Sequence, residues 1–287
     1  MKNTTFYDYL ITKRMSLNSA NRYHRQAMNF ENWAKENQII PQKATYNEVL
    51  EFINYCKSKG NKARTINLKG VILRYYFDYH KRTKNPAVEL RLKGVDRLLP
   101  KSPLSKDELD NLYQKFNDFD LIRKRDKVIL GMVIYQGLNA SELQRITLED
   151  VQLEKGSIYI KSSRKSNSRT IELKAFQLLS IQNYMLKVRP IILKKANKQS
   201  DLLFVAVGKG IKLQNVIGRM IQKIKKVEPK VVSLQHIRTS VISIWIKEVG
   251  LRKAQYLAGH RYVSSTERYE IESLEDLKKN ISAYHPL

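Results

Sequence analysis

A segment without helical periodicity, residues 85–103, divides this chain into two parts. It contains the helix breakers Pro86, Gly94, Pro100 and Pro103, accompanied by the bases Lys84, Arg91, Lys93, Arg97 and Lys101. A proline removes a backbone donor and disfavours a helical residue before it, so no helix runs through this segment. For a chain of 287 residues we therefore predict two domains, 1–90 and 104–287, joined by a basic linker over 91–103.

Positive charge is spread along the whole sequence. Lysine and arginine number 53 against 27 acidic residues, a formal net charge of +26. This excess goes beyond what solubility requires and predicts a polyanionic partner. Because the bases are not collected in a tail, a folded basic surface that binds nucleic acid is favoured over a membrane contact.

The first domain is predicted to be a helical bundle. Helical spacing of apolar residues covers 20–34, 46–56 and 65–79. In the last stretch, Lys69 and Arg74 lie between the apolar positions. Two interpretations stay open: a bundle with a solvated basic face, or a bundle whose basic face, including Lys69 and Arg74, contacts DNA.

The second domain is predicted to be mainly α-helical with one small antiparallel sheet. Ser105 with Glu108, and Asn139 with Glu142, match the capping-box pattern of a helix start. A buried helix over 125–138 ends near Gly137. Alternating residues over 158–161 and 170–173 predict a β-hairpin with a basic tip, and helical patterns follow at 175–185, 216–224 and 234–248.

Several classes of protein are excluded by composition. Cys56 is the only cysteine, so an internal disulfide is impossible, and with scattered histidines we expect neither a metal nor a cofactor. No apolar run approaches the ~20 residues of a membrane span, and the first residues lack the apolar core of a signal peptide. We expect a cytoplasmic protein.

Four motifs follow one another in the second domain: GLNASEL at 137–143, the hairpin tip RKSNSR at 164–169, SLQHIRTS at 233–240 and AGHRYVSSTERY at 258–269. In this order and spacing the sequence resembles the tyrosine recombinases of the phage integrase family. That family has an arginine after a TGL motif, a hairpin lysine, H-x-x-R, L-x-G-H and a tyrosine nine positions later. The resemblance covers essentially the whole chain.

The resemblance implies a fold, a reaction and partners. The fold is an N-terminal helical core-binding (SAM-like) bundle followed by a mixed α/β catalytic domain of the DNA breaking-rejoining type. The reaction is site-specific recombination of duplex DNA through a 3′-phosphotyrosyl intermediate, without cofactor. The partners are double-stranded DNA, other copies of a chain that is monomeric in solution and tetrameric on DNA, and accessory DNA-bending proteins at the nucleoid.

The resemblance also implies roles for individual residues. Tyr269 matches the nucleophile, His260 the histidine of the last motif and Arg238 the arginine of H-x-x-R. Lys165 matches the hairpin lysine, although aligning the turn by Arg169 places Arg164 there instead. Arg164, Arg169, Arg261, Lys69 and Arg74 are predicted DNA contacts.

Two positions depart from the family pattern. Asn139 stands where the family has its first arginine, and Gln235 stands where it has the H-x-x-R histidine, with His236 displaced by one. Glutamine still donates a hydrogen bond but cannot shuttle a proton. For the missing arginine, a hairpin arginine ranks first among the substitutes; Arg145 is poorly placed on its helix.

Structural explanations exist for each of these residues on its own. Asn139 is a good N-cap, a role worth ~1 kcal/mol, and the tyrosine, histidine and arginine could each serve packing or surface solvation. Other functions also stay open: a DNA-binding protein that keeps the fold without the reaction, a type IB topoisomerase, or a basic RNA-binding protein. The order of the motifs favours the recombinase.

Overall fold

The computed structural model describes residues 5–91, 102–164, 166–208 and 212–269. This part of the chain falls into two compact units, one within residues 1–97 and one within residues 98–287. Each unit has its own hydrophobic core. No helix among the described residues is both long and apolar enough to cross a membrane.

Helices form the first unit. They are α1 (Phe6–Thr12), α2 (Leu17–Glu36), α3 (Tyr46–Ser58) and α4 (Ala63–Tyr79), with a 3₁₀ turn at Pro41–Lys43. Thr5 and Thr45 begin α1 and α3 as capping boxes. Aromatic rings fill the core: Phe30 meets Phe52, Tyr76 and Phe77 edge to face, with centroids 5.1 to 5.9 Å apart.

The segment after α4 folds back onto this bundle. Arg74 donates from Nε to the carbonyl of Ala87 (2.9 Å) and from Nη2 to the carbonyl of Leu90 (3.0 Å). Gly70 makes room for the same segment, since a Cβ there would lie 3.1 Å from the Leu90 oxygen. The first core therefore includes Ala87 and Leu90.

The second unit contains further helices around one small sheet. The helices are α5 (Lys106–Lys115), α6 (Leu121–Ile134), α7 (Ala140–Leu143), α8 (Ala175–Asn183), α9 (Arg189–Ala196), α10 (Leu213–Val227) and α11 (Leu234–Ala258), with a π-helical turn at Tyr184–Val188 between α8 and α9. Helix α6 is buried along most of its length. It packs against α5, α8 and α11 in the core.

The sheet is antiparallel in the order β1-β2-β3, with β1 at Val151–Gln152, β2 at Ser157–Ile160 and β3 at Arg169–Glu172. Ile158 pairs with Ile171, and Ile160 pairs with Arg169. Burial alternates along β3, so Arg169 and Ile171 point to the same buried side. The strand thus places a guanidinium where an apolar side chain is the norm.

Helix α11 changes direction at Gly250, where φ is 79° and ψ is 165°. Its first half buries Ile237 and Val241 against the core. Its second half ends at Gly259, in the left-handed region with φ of 69°. This end carries the chain into the AGHRYVSSTERY motif.

The predicted fold class, mainly α-helical with a small antiparallel sheet, is confirmed. So are the hairpin and both capping boxes of the second unit. Strand β1 was not predicted because a two-residue strand has too little alternation to detect. The helix predicted over 234–248 ends at Gly250, whose backbone is not helical, and a second helical segment follows it to Ala258, since glycine readily adopts the positive φ of the kink.

Candidate active site

Asn139 begins helix α7 as its N-cap. Its Oδ1 accepts from the backbone N–H groups of Ser141 (2.9 Å) and Glu142 (3.0 Å), and its own N–H donates to Glu142 Oε2 (3.0 Å). The capping box therefore occupies the Asn139 side-chain oxygen and fixes the Glu142 carboxylate. That carboxylate turns inward, and the residue is 2% exposed.

Two arginines from distant parts of the sequence meet on this carboxylate. Arg169 of β3 donates from Nη1 to Glu142 Oε1 (2.8 Å), and Arg238 of α11 donates from Nη1 to Oε2 (3.3 Å). All three side chains are at most 5% exposed. Buried ions need such pairing because each costs several kcal/mol to remove from water.

The same arginines hold the end of α11. Arg169 Nε donates to the carbonyl of Leu257 (2.7 Å), and Arg238 Nη2 donates to that of Ala258 (2.7 Å). Arg238 Nη1 also donates to the carbonyl of Gly137, before α7. A Cβ at Gly259 would lie within 2.8 Å of Arg169 Cζ, so glycine is needed there for contact as well as for its positive φ.

The charges of this group alter the pKa values of its members. Burial by itself would raise the pKa of Glu142, but hydrogen bonding and charge from Arg169, with the charge of Arg238, hold the pKa below its usual value. Burial lowers the pKa of Arg238, and the nearby positive charge of Arg169 lowers it further. The buried group thus consists of two guanidinium ions and one carboxylate.

His260 lies beside this group. Its Nδ1 is 2.9 Å from Thr266 Oγ1, and Thr266 is fully buried. Burial, with the charges of Arg238 and Arg169, lowers the pKa of His260 to about 4. The imidazole is therefore neutral at neutral pH, and one of its ring nitrogens carries no proton.

The hairpin tip contacts the same place. Ser166 forms an isolated β-bridge with His260, and the N–H of Asn167 donates to the carbonyl of Gly259 (3.0 Å). These contacts fix the position of the tip next to the histidine. The predicted catalytic residue Lys165 lies outside the described residues, and its neighbour Arg164 is exposed.

Tyr269 stacks on His260, with ring centroids 5.9 Å apart and an angle of 17° between the planes. The tyrosine is 7% exposed and packs against Ile242 and Ala258. Its charge, when ionised, would raise the pKa of Arg238, so the two groups are electrostatically coupled. A phenol, a neutral imidazole and cations are thus brought together, an arrangement that can bind an anion and ionise a phenol.

Gln235 and His236 occupy opposite environments at the start of α11. Gln235 is exposed, three positions before Arg238 on the helix. His236 is 1% exposed. Its Nε2 lies 3.1 Å from the Ser102 carbonyl, and its Nδ1 accepts from the Val232 N–H (3.3 Å). His236 therefore serves the packing of the unit.

The remaining residues named from the sequence, predicted DNA contacts and the poorly placed Arg145, do not belong to the buried ion group. Arg261 is exposed. Arg145 donates to the carbonyls of Ser141 (3.2 Å) and Ser162 (3.0 Å). In the first unit, Lys69 donates to Gln26 Oε1 (3.1 Å) and lies over the Phe52 ring. As DNA contacts, Lys69, Arg74, Arg164 and Arg261 remain predictions.

Two parts of the site were missed in the sequence. Glu142 was interpreted only as a capping residue, yet it bridges Arg169 and Arg238. Thr266 was not singled out, since a threonine hydroxyl has no sequence signature. For Arg169 a signal existed: it is in phase with Ile171 on the buried side of β3, where an arginine requires an acidic partner.

Comparisons with known proteins agree with the motifs. A sequence model described as "Phage integrase family" matches residues 103–274, and one described as "Phage integrase, N-terminal SAM-like domain" matches residues 4–84. Tyrosine recombinase XerC of Bacillus subtilis (strain 168) is 27% identical, over 98% of this chain and 95% of that protein. Tyrosine recombinase XerA of Pyrococcus furiosus is 26% identical, over 83% of this chain and 80% of that protein.

Solved structures share the fold. The XerH site-specific recombinase bound to palindromic difH substrate, a post-cleavage complex, aligns with a TM-score of 0.70 at 20% identity, over 95% of this chain and 81% of that chain. The Tn1549 transposon integrase in complex with transposon right end DNA aligns with a TM-score of 0.67 at 17% identity, over 96% of this chain and 98% of that chain.

The buried carboxylate should be essential to the stability of the second unit. We expect Glu142→Gln to lower the free energy of unfolding by about 3–5 kcal/mol, because it leaves two buried arginines without a counter-charge. Glu108→Gln is the matched control. Glu108 is also the N3 residue of a capping box, but its ion-pair partner Lys230 is at the surface. The free energy of unfolding of the control should fall far less, because its ion pair is at the surface and is screened by water. Equal losses in urea unfolding would contradict the bridging role.

His260 should make the second unit less stable in mild acid. Its pKa lies near 4 in the folded protein and near 6.5 when unfolded, so the unfolded chain binds a proton first as the pH falls. We expect the free energy of unfolding to decrease between about pH 6.5 and 5, above the range where Glu142 titrates. Unfolding of the second unit would be followed by the fluorescence of Trp245 in a Trp33→Phe background. His260→Gln should flatten this slope; an unchanged slope would show that His260 is not the source.

Proposed function

The chain belongs to the phage integrase family, and on this basis we propose that it is a tyrosine-type site-specific recombinase that cleaves and rejoins duplex DNA. The resemblance inferred from the motifs is confirmed by the family match. The observation that carries the proposal is the stacking of Tyr269 on a neutral His260 beside Arg238. Each of these residues was assigned a role by the resemblance.

In the proposed reaction, the phenolic oxygen of Tyr269 attacks a phosphorus of the DNA backbone. A bond from this oxygen to phosphorus forms, the bond from phosphorus to the 5′-oxygen breaks, and a 3′-phosphotyrosyl ester results. A 5′-hydroxyl of a second strand later attacks the ester and releases the tyrosine. The number of phosphoester bonds is conserved, so the reaction needs no nucleotide hydrolysis.

We assign activation of the Tyr269 phenol to His260. In the tautomer whose Nδ1–H donates to Thr266, Nε2 is a proton acceptor. A bound phosphate would offset the charges of Arg238 and Arg169 that lower the pKa of His260, so that the imidazole can take the phenolic proton as the oxygen attacks. The positive charge of Arg238 favours the phenolate and the anionic transition state.

The departing 5′-oxygen needs a proton, and we assign its donation to the hairpin tip. Lys165 is the donor that the resemblance implies, and Arg164 is the alternative. The contacts of Ser166 with His260 and of Asn167 with Gly259 support this assignment, because they fix the tip next to the reacting group. Gln235, exposed on the first turn of α11, would donate a hydrogen bond to a phosphate oxygen.

Access of DNA to Tyr269 requires a change near the end of the described chain. With 7% of its surface exposed, the tyrosine cannot meet a phosphate where it now lies. We propose that DNA binding shifts the helical turn over 264–269. DNA binding would have to break the contact of Thr266 with His260, the stacking of the two rings and the packing of Tyr269 on Ile242 and Ala258.

The proposed partner is double-stranded DNA. We assign DNA-binding roles to the domain 1–90, the linker 91–103 and the catalytic domain 104–287, with Lys69, Arg74, Arg164 and Arg261 as contacts. Because recombination joins two cleaved duplexes, we further propose monomers that assemble into a tetramer on DNA, aided by accessory DNA-bending proteins at the cytoplasmic nucleoid. For contact between copies we propose the segment over 273–287, in which Leu274, Leu277 and Ile281 have helical spacing; it lies outside the described residues.

A covalent protein–DNA adduct tests the reaction. The target sequence would first be selected from a random duplex pool by binding, and nicked suicide duplexes built from it. We expect the wild-type protein to form a denaturant-resistant adduct and Tyr269→Phe to form none, because it lacks the nucleophilic oxygen. Phe keeps the ring stacking, so Tyr269→Phe should still bind the duplex.

An adduct that persists in Tyr269→Phe would assign the nucleophile elsewhere. Tight binding by the wild-type protein with no adduct on any nick position would instead identify a DNA-binding protein without the reaction. Relaxation of supercoiled plasmid without site preference would indicate a topoisomerase.

Affinity for DNA should depend strongly on salt. With a net charge of +26, phosphate contacts should dominate binding and release counterions. For roughly six to ten contacts, the affinity should fall by about 10³- to 10⁵-fold between about 50 and 200 mM salt. Fluorescence anisotropy with a labelled duplex measures this, and an affinity that hardly changes with salt would contradict an electrostatic interface.

A further inference from the structure

A second cation is missing from the position where the family has one. Asn139 is neutral, and its Oδ1 is occupied by the N–H groups of Ser141 and Glu142. Asn139 therefore brings no positive charge to a phosphate, and its remaining amide N–H₂ is only a neutral donor. Loss of one such donor typically slows a reaction by about 10²- to 10³-fold, so a chain that catalyses this step needs another cation.

The buried ion group has an excess of positive charge. Arg169 and Arg238 share the single carboxylate of Glu142. The adjacent His260 adds no charge at neutral pH, since burial and the two arginines lower its pKa to about 4. A buried, uncompensated cation is costly. The cost is removed when an anion binds next to it.

One nitrogen of this group lacks a hydrogen-bond partner. Arg169 Nε and Nη1 donate to Leu257 and Glu142, but Nη2 is buried and has no acceptor among the described residues. An unsatisfied buried donor costs about 1–3 kcal/mol, more when charged. Native structures rarely keep such a group without a function.

Arg169 lies close to the reacting residues. Its guanidinium lies against Gly259, directly before His260, and its charge contributes to lowering the pKa of that histidine. It also lies three positions after Ser166, which bridges to His260. The spare donor therefore lies next to the reacting residues, on a strand, and is held by Glu142. Because the Arg169 side chain is fully buried, Nη2 meets a phosphate only after the shift of residues 264–269 proposed for Tyr269.

We propose that Arg169 is a catalytic residue whose Nη2 donates hydrogen bonds to a non-bridging oxygen of the scissile phosphate, replacing the arginine that the family has at the position of Asn139. This inference rests on the proposed recombinase function. No proton is transferred: the guanidinium stays charged and stabilises the negative charge that grows on the phosphate oxygens in the transition state.

The opposing explanation is that Arg169 only holds Glu142 and the end of α11 in place. The two explanations differ in their dependence on substrate charge. A methylphosphonate replaces one non-bridging oxygen of the scissile phosphate with a neutral methyl group. A residue that stabilises charge matters less on this substrate, whereas a residue that holds the fold matters equally on both.

The experiment compares rates of adduct formation on nicked duplexes with a phosphodiester or a methylphosphonate at the cleavage point. We expect Arg169→Gln to react about 10²- to 10³-fold more slowly than wild type on the phosphodiester. On the methylphosphonate its deficit should be at least about tenfold smaller, since one charge no longer needs a partner. Arg169→Lys, which keeps the charge and the pairing with Glu142, should fall between.

Arg125→Gln is the matched control. Arg125 is also buried, but it is ion-paired with Asp126 and donates a hydrogen bond to the Val205 carbonyl. Any deficit of this variant should be the same on both substrates. The melting temperature and the duplex affinity of each variant check that it is folded. Should Arg169→Gln fail to fold, Arg169→Lys alone decides by the same comparison.

The outcomes separate the two proposals. A Tyr269-dependent adduct whose rate is unchanged by the Arg169 substitutions, or slowed equally on both substrates, overturns the role of Arg169 and leaves the recombinase function standing. Absence of any Tyr269-dependent adduct in the wild-type protein overturns the function and this inference with it. Only a deficit that shrinks on the neutral substrate supports the proposal.

Discussion

A single buried carboxylate organises the second unit of this protein. Glu142 receives Arg169 from a strand and Arg238 from a helix, and its orientation is fixed by the capping box that Asn139 begins. Through these arginines it also holds the end of α11, from which His260 and Tyr269 follow. Removal of the carboxylate would thus disturb the fold and the site together, since the same hydrogen bonds serve both.

This arrangement explains how the site tolerates its two departures from the family pattern. Asn139 is no defect of the helix start, because it is a good N-cap and aligns Glu142. Arg169 brings the positive charge that Asn139 lacks from the other side of the carboxylate. At Gln235 only a hydrogen bond is required if His260, kept neutral by its surroundings, takes the proton from the phenol.

Sequence patterns predicted the fold class and the residues near Tyr269, but not how the site is held together. Capping boxes, the alternation of the hairpin and the spacing of His260 and Tyr269 are local signals, and each is visible in a short window. The bridge from Glu142 to Arg169 and Arg238 spans distant segments and has no such signal. Burial of Arg169 could be predicted from its phase with Ile171, whereas its partner could only be found in three dimensions.

The most direct test of this account is a structure of the Tyr269→Phe protein on its selected duplex. We predict the scissile phosphate between Arg169 and Arg238, with Arg169 Nη2 about 2.7–3.2 Å from a non-bridging oxygen and Glu142 still bound to both arginines. A phosphate bound elsewhere, with Arg169 Nη2 remaining unpaired and distant from the DNA, would contradict the account.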